Sequence, residues 1–87
     1  MKSSYVWKNG ELVPWEHAQV HVMSHALHYG TSVFEGVRAY EIGEKAAILC
    51  GREHFERLLF SCKVARIASP MSVGQWMEAT VETLRAN

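Results

Sequence analysis

Two short, mostly apolar stretches flank the dipeptide Asn9-Gly10 near the start of the chain. They run from Tyr5 to Lys8 and from Glu11 to Val13. Asn-Gly is a strong signal for a two-residue turn because both turn positions need a positive φ. The pattern therefore predicts a β-hairpin, and Pro14 is expected to end its second strand or to lie at the edge.

The next segment is polar and rich in histidine. Residues Gln19 to Met23 alternate between polar and apolar, which indicates a short extended piece. Ser24 is a suitable N-cap for a helical turn that continues to Tyr29, and Gly30 can end that turn in a left-handed conformation.

A longer strand is predicted from Ser32 to Tyr40, followed by a turn over residues 42–45 and a second strand from Ala46 to Cys50. Successive side chains of a strand point to opposite faces of the sheet. The longer strand therefore has two unlike faces. One carries Val33, Glu35, Val37 and Ala39, and the other carries Phe34, Gly36, Arg38 and Tyr40.

The face that carries Phe34, Gly36, Arg38 and Tyr40 forms no ordinary core stripe. A ring, a gap, a guanidinium and a phenol indicate the wall of a pocket that takes an anion beside an apolar group. An edge strand is the plainer alternative, in which Arg38 is solvated and Gly36 marks a bulge. The pattern alone leaves both interpretations open.

Helical periodicity dominates the second half of the chain. One apolar face comprises Phe55, Leu58, Leu59 and Cys62, and a second patch comprises Phe60, Val64 and Ile67. A helix that is apolar on two sides is usually packed between layers, here between a sheet and another helix. Ser69-Pro70 is predicted to break it.

The spacing of Ser72 and Gln75 is that of a capping box and predicts the start of a last helix. Its apolar stripe comprises Val73, Trp76, Met77, Val81 and Leu84. Because strands precede helices along the chain, the order predicts an α+β fold with antiparallel strands followed by two helices.

Composition bounds the class of protein without defining it. The 87 residues, 48% hydrophobic and 21% charged, carry no formal net charge, which gives no support for nucleic acid or a membrane as partner. This length allows one small domain at most. Because no signal core or transmembrane run is visible, Cys50 and Cys62 are expected to be reduced cytosolic thiols, with Cys62 on a buried helix face.

The histidines allow a metal hypothesis. On one continuous helix the residues His17, His21, His25 and His28 would share a face, and imidazoles so placed could bind zinc or copper. The extended pattern before Ser24 and the cap at Ser24 argue against such a helix. We therefore favour polar contacts within the loop and predict no metal site.

Three stretches of the sequence resemble one enzyme family. VHVMSHALHYGTSVFEGVRAY at 20–40 resembles the opening signature of fold type IV pyridoxal-phosphate enzymes, and is closest to the bacterial branched-chain amino acid aminotransferases. YVWKNGELVPWEHAQ at 5–19 resembles the family's first hairpin, and REHFERL at 52–58 resembles its first long helix. The likeness is weakest between Glu41 and Cys50 and after Arg66.

The resemblance implies roles for six residues. Arg57 lies almost opposite Phe55 on the predicted helix, and its place in the family's motif implies a contact with the phosphate of pyridoxal 5'-phosphate. A guanidinium suits this task because it stays charged and binds phosphate through two donors. The residues implied at the substrate pocket are Tyr29, Phe34, Gly36 and Arg38, of which Tyr29 can reach the neighbouring subunit. Arg38 is expected, with Tyr40, to support the pocket rather than to contact the substrate.

A pyridoxal-phosphate enzyme also needs a lysine that forms a Schiff base with the cofactor. None of Lys2, Lys8, Lys45 and Lys63 lies in a context that resembles the family's Schiff-base lysine. The resemblance therefore implies that residues 1–87 are an incomplete N-terminal small domain, without the domain that carries this lysine. The chain alone is expected to have no catalytic residue and no activity.

The resemblance implies a cytoplasmic parent enzyme that transfers the amino group of leucine, isoleucine or valine to 2-oxoglutarate. It also implies a homo-oligomer, at least a dimer. A D-amino acid transaminase or an aminodeoxychorismate lyase of the same fold is an alternative, and a non-catalytic binding or remnant domain is an alternative of another class. Exposure of Phe34, or of the patch of Phe60, Val64 and Ile67, is expected of a fragment.

Overall fold

A computed structural model describes residues 2–87 as two antiparallel strand pairs followed by two packed helices. The order of elements confirms the predicted α+β fold. The elements are β1 (Tyr5–Lys8), β2 (Glu11–Pro14), a 3-10 turn (Trp15–His17), α1 (His25–Tyr29), β3 (Ala39–Ile42), β4 (Lys45–Ile48), α2 (Gly51–Ala65) and α3 (Val73–Ala86).

The first hairpin forms as predicted. Tyr5 of β1 lies opposite Pro14 of β2, and Lys8 lies opposite Glu11. Asn9 and Gly10 have φ values of 51° and 95°, so both turn positions use the left-handed half of the backbone map that this dipeptide tolerates.

The predicted strand from Ser32 to Tyr40 is wrong over most of its length. Only its last two residues lie in β3, which pairs with β4 from Ala39 opposite Ile48 to Ile42 opposite Lys45. The partner strand β4 is four residues long, and beyond it only the N–H of Leu49 continues the pairing, to the carbonyl of Arg38, so residues 31–37 have no ladder with which to pair. β4 also ends at Ile48, before the predicted Cys50, because Cys50 adopts a left-handed φ of 51° at the start of α2.

The alternation of side chains predicted for this segment persists without a ladder. Val33, Glu35 and Val37 are half-buried, whereas Phe34, Gly36 and Arg38 are exposed. The two unlike faces are therefore confirmed from residue 33 to residue 38. An extended backbone gives this two-residue period whether or not a second strand lies beside it.

The segment that precedes α1 is not a strand, and residues 17–28 do not form one helix. Ser24 stands at the N-cap of α1, but its side chain makes no capping hydrogen bond. Gly30 ends α1 with a φ of 67°, as predicted, and its N–H donates to the carbonyl of Ala26 at 3.1 Å.

The core lies between α2 and α3, and α3 also packs on β1. Its buried apolar residues are Phe55, Cys62 and Ala79. The ring of Phe55 stacks on that of Trp76 with centroids 6.0 Å apart and planes 7° apart. Both cysteines are free, and Cys50 is exposed.

Two expectations for α2 are wrong. The helix ends at Ala65, before Ser69-Pro70, because Arg66 adopts a left-handed φ of 57° and its N–H donates to the carbonyl of Lys63. The expected packing of α2 between two layers is wrong as well, since Phe60 is 64% exposed and Val64 is exposed too. The exposure of these two residues and of Phe34 is as expected of a fragment. None of the helices in residues 2–87 has the length and apolar character needed to cross a membrane.

The capping box at the start of α3 is confirmed. The N–H of Gln75 donates to the Ser72 hydroxyl at 3.2 Å, and the N–H of Ser72 donates to the Gln75 side-chain oxygen at 2.9 Å. At the far end of α3 the amide of Asn87 accepts from the N–H groups of Ser4 and Tyr5 and donates to the carbonyl of Tyr5. These bonds tie α3 to β1.

Replacing Ser72 by alanine should lower the free energy of unfolding by about 1 kcal/mol, because one N–H of the first turn loses its acceptor. Urea denaturation followed by circular dichroism measures the change. Ser32→Ala, at an exposed serine outside the helices, serves as the control and should have little effect. Equal stability of the wild-type chain and the Ser72→Ala variant would contradict the role of the cap.

Candidate functional site

One carboxylate joins the segment of residues 31–38 to helix α2. Nε of Arg57 donates to Oε2 of Glu35 at 2.7 Å, and Nη2 of Arg57 donates to Oε1 at 2.7 Å. Two parallel bonds of this kind fix the plane of the guanidinium as well as its position. The pair therefore connects residues that are 22 positions apart in the sequence.

His54 lies about one turn before Arg57 on α2 and adds a third bond to the same carboxylate. Its Nδ1 lies 2.8 Å from Oε1 of Glu35. An ionised carboxylate only accepts hydrogen bonds, so Nδ1 is the donor and carries the proton. The Glu35 side chain is only 8% exposed, whereas that of Arg57 is 65% exposed. The carboxylate is thus covered, and the guanidinium reaches the surface.

These contacts determine the charge state of Glu35. The hydrogen bonds from Arg57 and then His54 lower the pKa of Glu35 from 4.5 to about 2, against a smaller opposing effect of desolvation. In return the Glu35 carboxylate raises the pKa of Arg57. Both groups are therefore fully charged at neutral pH, and the pair is an ion pair rather than a neutral hydrogen-bonded contact.

The ion pair engages only some of the hydrogen-bond donors of the Arg57 guanidinium. Glu35 occupies the edge formed by Nε and Nη2, and Nη1 makes no contact with Glu35. Beside it lies a shallow surface cavity of about 300 Å³, lined by Cys50, Glu53, His54 and Arg57. The site can therefore offer a fixed cationic edge to an anion, which is a common task of arginine.

The residues predicted for a substrate pocket all lie on the surface. Phe34 is 87% exposed and Tyr29 is 75% exposed, and Gly36 and Arg38 are exposed as well. Phe34 and Gly36 flank Glu35 in the sequence and are exposed, whereas the Glu35 side chain is covered. The carboxylate bound to α2 thus directs its two neighbours outward.

Gly36 has no structural explanation within the described residues. Its φ is not positive, unlike that of Gly10, Gly30 and Gly43, and a Cβ placed on it would meet nothing within 4 Å. A side chain would therefore fit here as far as residues 2–87 are concerned. The glycine keeps a free space on the same face as the ring of Phe34.

The histidines make local contacts, as the sequence pattern favoured. Nδ1 of His25 lies 3.0 Å from the Thr31 hydroxyl, and Nε2 of His28 donates to the carbonyl of Val22 at 2.8 Å. The ring of His25 also lies against Tyr29, with centroids 4.5 Å apart. Residues 2–87 contain no cluster of three or more His, Cys, Asp or Glu side chains arranged to hold a metal ion.

The structure brings Arg57 together with Glu35 and His54, two residues to which the sequence pattern assigned no role. A signal for Glu35 was present. It lies between Val33 and Val37 on the half-buried face, and a buried carboxylate needs a partner. An arginine on the exposed side of the next helix was available for that purpose.

The fold and sequence match one class of enzyme. No family model matches the chain. The structure superimposes on the crystal structure of the Escherichia coli branched-chain amino acid aminotransferase with a TM-score of 0.95, at 50% identity, over 99% of this chain and 28% of that one. The branched-chain aminotransferase of the archaeon Thermoproteus uzoniensis, solved with norvaline, gives a TM-score of 0.91 at 46% identity, over 95% of this chain and 28% of that one.

Among curated proteins, the branched-chain-amino-acid aminotransferase of Salmonella typhimurium is 50% identical over 86 residues, which are 99% of this chain. The chain spans about 28% of the length of that relative. The fold is therefore that of the N-terminal domain of fold type IV aminotransferases. Within that class, the chain is homologous to the N-terminal part of the branched-chain-amino-acid aminotransferases.

The stability of the folded chain should fall as the pH is lowered from about 5 to about 2. Glu35 has a lower pKa in the folded chain, about 2 instead of 4.5, so between these values the unfolded chain binds more protons. Acidification therefore favours the unfolded chain. Urea denaturation across this pH interval measures the slope, which should be smaller in Glu35→Gln. A Glu35 carboxyl carbon that titrates near 4.5 in NMR spectra would contradict the ion pair.

Proposed function

We propose that this chain supplies the N-terminal part of a pyridoxal-phosphate-dependent branched-chain amino acid aminotransferase. The enzyme would transfer the amino group of leucine, isoleucine or valine to 2-oxoglutarate. The observation that carries the proposal is the 50% identity to such enzymes along 99% of the chain. These relatives give no support to the D-amino acid transaminase, the lyase or the non-catalytic domain.

Arg57 fits the proposed phosphate contact. Its guanidinium is exposed, its plane is fixed by Glu35, and its Nη1 makes no contact with that carboxylate. A phosphate needs a charged donor of this kind, held at a defined orientation. Pyridoxal phosphate, when bound, would supply the electron sink for amino-group transfer. In the proposal Arg57 binds and orients the phosphate end of the cofactor.

The lysine that binds the cofactor is proposed to lie outside residues 1–87, in a second domain. The relatives are more than three times as long as this chain, since it spans 28% of their length. Residues 1–87 then form an incomplete small domain with no catalytic residue of their own. This division of tasks leaves the present chain to position the cofactor phosphate and the substrate.

The exposed face of residues 34–38 is proposed to line the substrate pocket. Phe34 offers a bare aromatic ring as a wall for a branched aliphatic side chain, and Gly36 leaves open space beside it. The backbone at Gly36 can approach a substrate carboxylate closely because no side chain intervenes. Arg38 is proposed to support this wall, with its carbonyl held by the N–H of Leu49 at 2.9 Å.

Tyr29 is proposed to act across a subunit boundary in a cytoplasmic homo-oligomer. It ends the short helix α1, and its ring is exposed apart from the contact with His25. Contacts of His25 with Thr31 and of His28 with Val22 hold this loop in shape. A ring presented in this way can enter the pocket of a second copy.

A hybrid enzyme tests the proposed function. In the hybrid this chain replaces the matching N-terminal part of the Escherichia coli aminotransferase, to which it is 50% identical. The purified hybrid should convert leucine and 2-oxoglutarate at a rate well above that of free pyridoxal phosphate without protein. A folded hybrid that binds the cofactor but shows no transamination above this background would contradict the proposal.

Replacing Arg57 by alanine in the hybrid should weaken pyridoxal phosphate binding about 10- to 100-fold, which corresponds to the loss of one or two charge-assisted hydrogen bonds. Absorbance titration of the apo hybrid measures the dissociation constant. Arg52→Ala, at an exposed arginine on the same helix, is the matched control and should bind the cofactor like the unmodified hybrid. Equal affinities of the two variants would contradict the assignment of Arg57.

A further inference from the structure

The guanidinium of Arg57 has two edges that can each bind an anion through two donors. Glu35 occupies the edge formed by Nε and Nη2, with both bonds at 2.7 Å. This leaves Nη1, together with the second proton of Nη2, as the edge that can meet another anion. The orientation of that edge depends on Glu35, because a guanidinium on its long side chain is otherwise free to rotate.

Glu35 is itself held firmly. Its side chain is 8% exposed and accepts a further bond from Nδ1 of His54 at 2.8 Å, one helical turn from Arg57 on α2. Val33 and Val37, on either side of it, are half-buried. The carboxylate is therefore a fixed point, and the exposed guanidinium takes its position from that point.

Attraction by charge is no explanation for this arrangement. The negative charge of Glu35 lies against Arg57 and reduces the positive potential that Arg57 presents to an anion. If Arg57 served only as a charge, removing Glu35 would strengthen anion binding. A benefit from Glu35 must therefore come from orientation, which lowers the entropy cost of binding.

We propose that Glu35, held by His54, is a positioning residue that orients Arg57 so that its Nη1 edge receives the phosphate of the cofactor. This proposal rests on the proposed function, in which Arg57 binds that phosphate. Glu35 touches neither cofactor nor substrate in it. Its effect on the cofactor is transmitted through the two bonds to Arg57.

A double-mutant cycle in the hybrid enzyme tests the proposal. The variants are Glu35→Gln, Arg57→Lys and the double variant, and each is titrated as apoenzyme with pyridoxal phosphate. Glu35→Gln should weaken binding about tenfold, the equivalent of one well-made hydrogen bond. When Arg57→Lys is already present, the same change should have little effect, because an ammonium has no planar edge to orient.

Pyridoxal, which lacks the phosphate, is the matched control ligand. Glu35→Gln should leave its affinity unchanged, since the proposed effect acts on the phosphate alone. Tighter binding of pyridoxal phosphate by Glu35→Gln would show that Glu35 acts by charge, and equal losses for the two ligands would show a structural role. Either result would overturn the proposal.

The cycle also separates this proposal from the proposed function. If Arg57→Lys binds pyridoxal phosphate as tightly as the unmodified hybrid, the phosphate contact itself fails, and the role of Glu35 fails with it. If Arg57→Lys weakens binding and Glu35→Gln does not, only the role of Glu35 fails.

Should Glu35→Gln not fold, Glu35→Asp replaces it, because the shorter side chain keeps the charge and loses the two-point contact. If neither folds, Glu35 is a structural residue and the proposal is wrong.

Discussion

The carboxylate of Glu35 is the contact on which the candidate site depends. It accepts two hydrogen bonds from Arg57 and one from His54 while its own side chain is almost fully covered. These bonds join an extended segment that has no strand partner to the helix that packs in the core. Val33 and Val37 of this segment are half-buried, and the N–H of Leu49 donates to the carbonyl of Arg38 at its end. The bonds of Glu35 are therefore the hydrogen bonds that attach the segment to α2.

The attachment also explains the layout of the surface. Side chains of an extended backbone alternate in direction. With Glu35 covered and bonded to α2, its neighbours Phe34 and Gly36 face outward, and the exposed guanidinium of Arg57 lies against Glu35. One inward-facing carboxylate thus sets the direction of the two residues proposed for the substrate pocket and the orientation of the arginine proposed to bind an anion. In the function proposed for this chain, binding of the substrate and binding of the cofactor phosphate belong to one site.

The parts of the fold that depend on local chemistry could be predicted from the sequence. Asn9-Gly10 defines its hairpin through backbone preference, and Ser72 with Gln75 defines the start of α3 through hydrogen bonds within one turn. The strand over residues 32–38 could not be predicted correctly, because pairing depends on the length of a partner strand that lies elsewhere. The end of α2 was missed for a different reason. Arg66 adopts a left-handed conformation that arginine rarely favours, so its residue type gives no signal.

In the candidate site, too, the local features could be predicted from the sequence and the long-range contact could not. The exposure of Arg57 follows from helical spacing, and the two faces of residues 33–38 follow from alternation. The bond between Arg57 and Glu35 spans 22 positions and depends on the turn that returns the chain to α2. Periodicity indicates that Glu35 faces inward, and the physics of a covered carboxylate requires a partner for it. Neither identifies the partner, which only the packed fold does.

The most direct test of the ion pair is the exchange of the Arg57 Nε proton with water, measured by ¹⁵N NMR on the chain at neutral pH. Arg52, exposed on the same helix, provides the reference. We predict a distinct Arg57 Nε–H signal that exchanges much more slowly than that of Arg52, and the loss of this difference in Glu35→Gln. Equally fast exchange at Arg57 and Arg52 in the wild-type chain would show that the carboxylate does not hold the guanidinium.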